Sequence, residues 1–113
     1  MHILPQHLVA VYDCLRVLPP FSSVKFPDAD ELQFKAVPRP DICAEFIEWD
    51  PHIITVSTLK TSHLDTLMQS MAHEMVHLWQ SIDGTVGKAQ HNANWKKKAA
   101  RVCREMGWDP LNF

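Results

Sequence analysis

Leucine and methionine recur with helical spacing along the middle of the chain, and this stripe defines one face of a long helix. The stripe residues share one side of a helix that turns by about 100° per residue. They are Leu64, Leu67, Met68, Met71, Met75 and Leu78. Ser62 is the predicted N-cap, with Asp65 in the capping-box position three residues later. Because an apolar stripe of this kind packs against other elements, the chain must fold around this helix.

The rest of the chain predicts two further helices and a small sheet. Apolar spacing predicts a first helix over residues 5–18 and a last helix over residues 94–106. Three segments between the first two helices have strand composition. They are Leu32–Val37, Cys43–Trp49 and Ile53–Leu59. The short Asp50-Pro51 turn should make the second and third segments a hairpin. With 113 residues, we expect residues 1–113 to form a single α+β domain.

Composition excludes several classes of protein. Hydrophobic residues make up 46% and charged residues 21% of the chain, which is typical of a globular protein and too apolar for general disorder. No apolar run approaches the roughly 20 residues of a membrane span, so we expect no membrane partner. The N-terminal stretch lacks a basic start and a small-residue cleavage site, so no signal peptide is expected. Cys14, Cys43 and Cys103 form no C-x-x-C pair and are expected to be buried thiols in the cytoplasm or another reducing intracellular compartment.

The middle helix carries an H-E-x-x-H pattern. It reads His73-Glu74-Met75-Val76-His77. Residues four apart differ by about 40° around a helix, so the two imidazoles leave the same face one turn apart and can bind one cation. Glu74 is rotated by about 100° from His73 and would reach water at the cation instead of ligating it. Both histidines point away from the apolar stripe, where a cleft can form. The alternative is a pair of surface histidines on an ordinary helix face.

A catalytic zinc site normally has three protein ligands and one open position, so a third ligand must come from outside the pattern. His91 fits best, because it follows His77 after a loop with two glycines that permit a reversal of the chain. Glu105 on the last helix stays open as an alternative ligand. The less suitable candidates are His52, His63 and Asp83.

From the middle helix to the last one, the chain resembles the SprT-like metallopeptidase domain, a family that includes the Spartan DNA–protein crosslink proteases. The matching segments are the H-E-x-x-H pattern, His91-Asn92-Ala93-Asn94-Trp95-Lys96 and Arg101-Val102-Cys103-Arg104-Glu105-Met106-Gly107. That family pairs H-E-x-x-H with a third histidine about this far downstream, in a His-Gly-x-x-aromatic context. The resemblance implies a minimal zincin-like fold, in which a three-stranded sheet packs with an N-terminal helix, the active-site helix and a C-terminal helix. It also implies one Zn²⁺ ion on His73, His77 and His91, with Glu74 as the general base.

The chain departs from the family at two points. Asn92 stands where the family has glycine, which is compatible with a left-handed backbone, since asparagine visits that region most readily after glycine. Many members also carry a C-terminal zinc ribbon, and this chain has no C-x-x-C pair to form one.

The expected activity is zinc-dependent hydrolysis of peptide bonds. Zinc would polarise the scissile carbonyl and lower the pKa of its water, while Glu74 would pass a proton from that water to the leaving amine. The peptide substrate is expected to add as a strand to a sheet edge at Ile53–Leu59. Tyr12 has core spacing and the four tryptophans are expected in the core, so no residue is assigned as an oxyanion stabiliser.

Charge is distributed unevenly along the chain. Residues 1–87 have five Lys or Arg against eleven Asp or Glu, whereas residues 88–113 have six against two. A basic face beside an acidic body can attract DNA. The candidate DNA contacts on the last helix are Lys96, Lys97, Lys98 and Arg101. The alternative function is therefore a non-proteolytic nucleic-acid-associated module with a structural or vestigial zinc site. The absence of a cysteine near the histidines disfavours this alternative, because structural zinc usually has sulfur ligands.

Overall fold

The three predicted helices form where the apolar spacing places them. The computed structural model, which describes residues 2–113, has helix α1 at Pro5–Arg16, α2 at Leu64–Asp83 and α3 at Ala93–Met106. Short 3-10 turns lie at Phe21–Ser23, Ala29–Glu31 and Pro110–Asn112. Within residues 2–113, no helix is both long enough and apolar enough to cross a membrane.

Glycines end both α2 and α3, and the N-cap of α2 differs from the predicted one. Gly107 ends α3 with a left-handed backbone at φ 76°, and Gly84 ends α2 in the same way at φ 74°. The predicted N-cap of α2 is wrong by one residue. The cap is His63, whose backbone is extended, and not Ser62. Asp65 therefore lies in the first turn of α2, where a carboxylate interacts favourably with the helix dipole.

The sheet is mixed, with its last strand in the centre. Strand β1 is Gln33–Val37, β2 is Ala44–Ile47 and β3 is Ile53–Ser57, in the order β1-β3-β2. β3 is parallel to β1 and antiparallel to β2, so the predicted hairpin of the second and third strands is confirmed. The predicted substrate edge at Ile53–Leu59 is wrong, because β3 has a neighbouring strand on both sides. The free edge beside α2 is β2.

The core lies between the helices and the sheet and contains most of the predicted stripe. Leu67, Met71, Met75 and Leu78 are fully buried, and Met68 packs partly buried against them. Leu64 is 58% exposed, because it is the first residue of α2 and extends beyond the packed region. Tyr12 is buried as predicted, and its hydroxyl donates a hydrogen bond to the carbonyl of Pro27 at 2.6 Å.

Two predictions about burial are partly wrong. Cys103 is buried, but Cys14 lies off the buried stripe of α1 and Cys43 lies in the segment before β2, and both are exposed. Trp95 is buried, whereas Trp49 lies after the end of β2 and is 69% exposed. The other two tryptophans pack partly buried against the core.

Candidate metal centre

His73, His77 and His91 converge from two parts of the chain that lie on either side of a loop. His73 and His77 project one turn apart from α2, and His91 stands two residues before α3. One ring nitrogen from each of the three lies within 4.8 Å of the others. The ring centroids of His73 and His91 are 4.9 Å apart, and those of His77 and His91 are 5.2 Å apart. The three side chains can therefore hold a single divalent metal ion.

The donor set suits a tetrahedral ion with one open position. Zinc binds imidazole nitrogen at about 2.0–2.1 Å, which in a tetrahedron puts the nitrogens about 3.4 Å apart. The ring nitrogens of the three histidines would have to move closer together by no more than roughly 1.4 Å, and rotation of the side chains allows a shift of that size. His73 and His77 are half-buried and His91 is exposed, so the cluster is partly open to solvent.

The pKa values of the three histidines favour the neutral form that binds metal. Burial lowers the pKa of His73 to about 4 and that of His77 to about 4, and neighbouring histidines add to both effects. Burial and the charge of Lys96 also lower the pKa of His91. Because a metal ligand must be deprotonated, these rings need to release no proton to bind an ion near pH 7.

A main-chain oxygen orients the His73 ring. His73 Nδ1 lies 2.9 Å from the main-chain oxygen of Phe113. That oxygen can only accept, so the hydrogen bond requires the proton to be on Nδ1. This tautomer leaves Nε2 free as the ligand atom. Metal-bound histidines commonly donate their other ring N–H to such an acceptor. Sequence reasoning missed Phe113, because 40 residues separate the two partners and no local pattern connects them.

The Trp95 ring packs against the three histidines. Its ring is stacked on His91 with centroids 3.8 Å apart and planes 8° apart, and it also lies 4.7 Å from His73. Trp95 Nε1 is the one buried side-chain polar atom within residues 2–113 that has no hydrogen-bond partner. The stack restricts the orientation of a histidine that stands on an otherwise exposed loop.

Glu74 lies beside the three histidines and is buried. The residue is 5% exposed, yet it lines the same cleft as His73. Burial raises the pKa of Glu74 to about 8, and the Glu45 carboxylate adds to this rise. A cation on the adjacent histidines would favour the carboxylate and lower that pKa again.

Two clefts flank the cluster along strand β2. The first has a volume of about 440 Å³ and lies between the start of β2 and the face of α2 that carries His73 and Glu74. Its other α2 residues are Thr66, Gln69 and Ser70. The second cleft, of about 380 Å³, lies beside His77 between the end of β2 and the loop of residues 86–90. A ligand lying along β2 would thus pass the histidines between the two clefts.

The other candidate ligands lie apart from the cluster. Glu105 is exposed on α3, and His63 is the exposed N-cap of α2. His52 accepts a hydrogen bond from the Trp49 amide and packs on Phe46. Asp83 is bound to Lys98 and Thr85. None of the four belongs to the metal-ligating group that the structure forms within residues 2–113.

The four predicted DNA contacts are not equivalent. Lys96, Lys97 and Arg101 are exposed on α3. Lys98 is only 11% exposed, pairs with Asp83 at 2.8 Å and lies over the Trp79 ring. The charge of Lys98 is therefore already paired with Asp83 within the protein.

Asn92 does not have the left-handed backbone that a glycine at this position of the family would permit. Its φ of −70° and ψ of 178° are extended, and it is the N-cap of α3, where its side chain accepts a hydrogen bond from the Trp95 amide. Asparagine is among the best N-cap residues, which accounts for its presence here.

Comparison of the chain with protein-family models, with curated proteins and with solved structures finds no match. The functional argument therefore depends on the site itself.

Proposed function

We propose that this protein is a zinc-dependent metalloendopeptidase of the SprT-like kind. The observation that carries the proposal is the convergence of His73, His77 and His91, with Glu74 buried next to them in a cleft. Glu74 is not a member of the ligand group, which suits a base that acts on water. The small α+β fold with an H-E-x-x-H helix against a three-stranded sheet supports the same proposal.

The chemistry is divided between the ion and the chain. Zinc supplies Lewis acidity toward a peptide carbonyl and a lowered pKa for water. Glu74 takes the proton from the attacking water at a carboxylate oxygen and delivers it to the nitrogen of the leaving amine. The burial of Glu74 limits the access of bulk water to that proton, and the main-chain oxygen of Phe113 keeps His73 in the tautomer that binds metal.

The substrate is an extended peptide that pairs with the free edge of β2. In an antiparallel pair, alternate residues direct their N–H and C=O groups toward the partner strand. The Ser57 amide donates to the Cys43 carbonyl, and Ala44 lies opposite Val56. The main-chain groups of Ala44 and Phe46 therefore face away from β3 and can bind a peptide that lies between the two clefts.

Replacing Ala44 by proline should weaken substrate binding without unfolding the protein. The substitution removes an N–H that faces the free edge, a position where strands tolerate proline. We expect KM to rise about five-fold, which corresponds to one hydrogen bond of about 1 kcal/mol. Steady-state cleavage of a peptide measures this effect, and Ala44→Ser, which retains the N–H, is the control. An unchanged KM in folded Ala44→Pro would exclude pairing at this residue.

We also propose that exposed basic residues of α3 recruit the protease to DNA-associated substrates. The double substitution Lys96→Glu with Lys97→Glu should weaken binding to single-stranded DNA and reduce its dependence on salt, because fewer counterions are released. Fluorescence anisotropy at several salt concentrations measures both quantities. The double substitution Asp83→Asn with Lys98→Met is the control, because the opposite charges of Asp83 and Lys98 cancel each other in the wild-type protein. Equal affinity and equal salt slope in the charge-reversed protein would remove DNA from the proposal.

A reducing intracellular location agrees with three free thiols in the chain, one buried and two exposed.

Cleavage of an unstructured protein tests the proposed activity directly. The zinc-loaded protein should fragment denatured casein, a chelator should stop the reaction, and zinc returned in excess of the chelator should restore it. Fragments analysed by mass spectrometry would identify the bonds cut. Cleavage that persists after chelation would show a contaminating protease or a mechanism without metal, and a complete absence of cleavage with zinc bound would favour the non-proteolytic module.

A further inference from the structure

Gln80 is a buried glutamine about one turn after His77 on α2, and the proposed chemistry gives it no role. Gln80 is 2% exposed and follows His77 on α2. Its Nε2 lies 2.9 Å from Asn92 Oδ1, 3.1 Å from Asn94 Oδ1 and 3.2 Å from the Thr85 carbonyl. All three acceptors belong to the loop that carries His91 or to the start of α3. A buried polar side chain thus ties the helix of two ligands to the segment that holds the third.

Asn92 continues this connection to the site. Its Oδ1 accepts hydrogen bonds both from Gln80 and from the Trp95 amide, each at 2.9 Å. Its Nδ2 donates to the Thr85 carbonyl at 3.2 Å, which closes the loop on itself. Asn92 is also the residue directly after His91. The hydrogen bonds of the Asn92 side chain therefore anchor the backbone directly after His91.

The last contact in the connection is the aromatic stack. The amide of Trp95 is held by Asn92, and the Trp95 ring lies parallel to His91 at 3.8 Å. Two contacts therefore restrict the position of His91. Its backbone is held by the hydrogen bonds of Asn92, and its ring is held by the stack on Trp95. The Asn92 side chain contributes to both constraints, through its own backbone and through the Trp95 amide, and Gln80 is the buried group that holds that side chain from α2.

We infer that Gln80 is a positioning residue that sets His91 at the distance from His73 and His77 at which the three can share one metal ion. This inference rests on the proposed function, because it assigns Gln80 a role in the zinc site. Groups that hydrogen-bond directly to a metal ligand change metal affinity about 10–100-fold when removed. Gln80 acts one contact further out, through Asn92, so its effect should lie at the lower end of that range.

Gln80→Met tests the inference, because methionine keeps the length of the side chain but cannot hydrogen-bond to Asn92. We expect its affinity for zinc, measured by competition with a chelator of known affinity, to fall about 10-fold. We also expect the visible spectrum of the Co²⁺-loaded protein to change, since that spectrum reports the arrangement of the ligands. Amide hydrogen exchange in residues 85–92 of the metal-free protein should become faster.

Thr61→Val is the matched control. Thr61 is fully buried and donates a hydrogen bond to the Ser57 carbonyl at 2.6 Å, outside the metal site. This variant should lower stability in urea while leaving zinc affinity, the Co²⁺ spectrum and loop exchange as in the wild type. A role of Gln80 in general stability alone predicts that Gln80→Met and Thr61→Val behave alike.

Gly87→Ala disturbs the same connection from the solvent side. A Cβ on Gly87 would lie 2.8 Å from Asn92 Nδ2, so the Asn92 side chain must shift, and Gly87 is exposed on the loop. We expect a weaker zinc affinity and the same change in the Co²⁺ spectrum as in Gln80→Met.

The outcomes separate this inference from the proposed function. Wild-type affinity and spectrum in Gln80→Met and in Gly87→Ala, with a wild type that binds zinc, would overturn the positioning role alone. A loss of affinity in Gln80→Met that Thr61→Val reproduces would overturn it as well. A wild-type protein that binds no zinc would overturn the proposed function together with this role.

Discussion

Glu74→Gln should abolish detectable peptide cleavage while the protein still binds zinc. Glutamine has nearly the same shape as glutamate, but its amide cannot accept the proton of the attacking water. Loss of a general base typically costs about 10²–10⁴-fold in rate. We expect kcat to fall by that amount with little change in KM, because Glu74 acts on the transition state more than on bound substrate. Cleavage kinetics and zinc content should be measured on the same preparation.

Glu105→Gln is the control for this experiment. Glu105 is an exposed carboxylate on α3, outside the two clefts, and is the alternative third ligand that the sequence leaves open. Its replacement should leave both zinc content and kcat at the wild-type values. Equal rates for Glu74→Gln and the wild type would exclude Glu74 as the base. Loss of zinc from Glu105→Gln would indicate that Glu105 on α3 is the third ligand.

His91→Ala should cause the largest loss of metal affinity that leaves the fold intact. His91 is exposed, so its truncation creates no cavity in the core. In the proposed site His91 supplies one of the three ligand nitrogens, so its removal should weaken zinc binding by more than the about 10–100-fold typical of removing a group that orients a ligand. Chelator competition measures the affinity, and circular dichroism checks the fold.

His63→Ala is the matched control for His91→Ala. His63 is exposed at the start of α2, makes no side-chain cap hydrogen bond and lies outside the cluster. Its zinc affinity should equal that of the wild type. If His91→Ala also retained wild-type affinity, the third ligand would be a residue other than His91.

The parts of the fold that follow from local periodicity were predictable. The spacing of Leu67, Met71, Met75 and Leu78 indicates α2 and its buried face, and the geometry of a helix places His73 and His77 on one side. His91 was a harder inference, because loop length and glycine content show only that a reversal is permitted. The structure brings it into the predicted cluster.

The parts that depend on tertiary arrangement were not predictable. Strand composition does not reveal strand order, so the sequence does not show that β3 is central and that β2 is the edge. The same limit applies to the partners of the site. The bond from His73 to Phe113 and the contact from Gln80 to Asn92 join residues that only folding brings together.

The zinc content of the purified protein is the most direct test of the central claim that three histidines form a metal centre. Elemental analysis after zinc loading and exhaustive dialysis should find one zinc ion per chain, and the triple variant His73→Ala, His77→Ala, His91→Ala should contain none. A wild-type protein that retains no zinc, or a triple variant that retains as much as the wild type, would contradict the account.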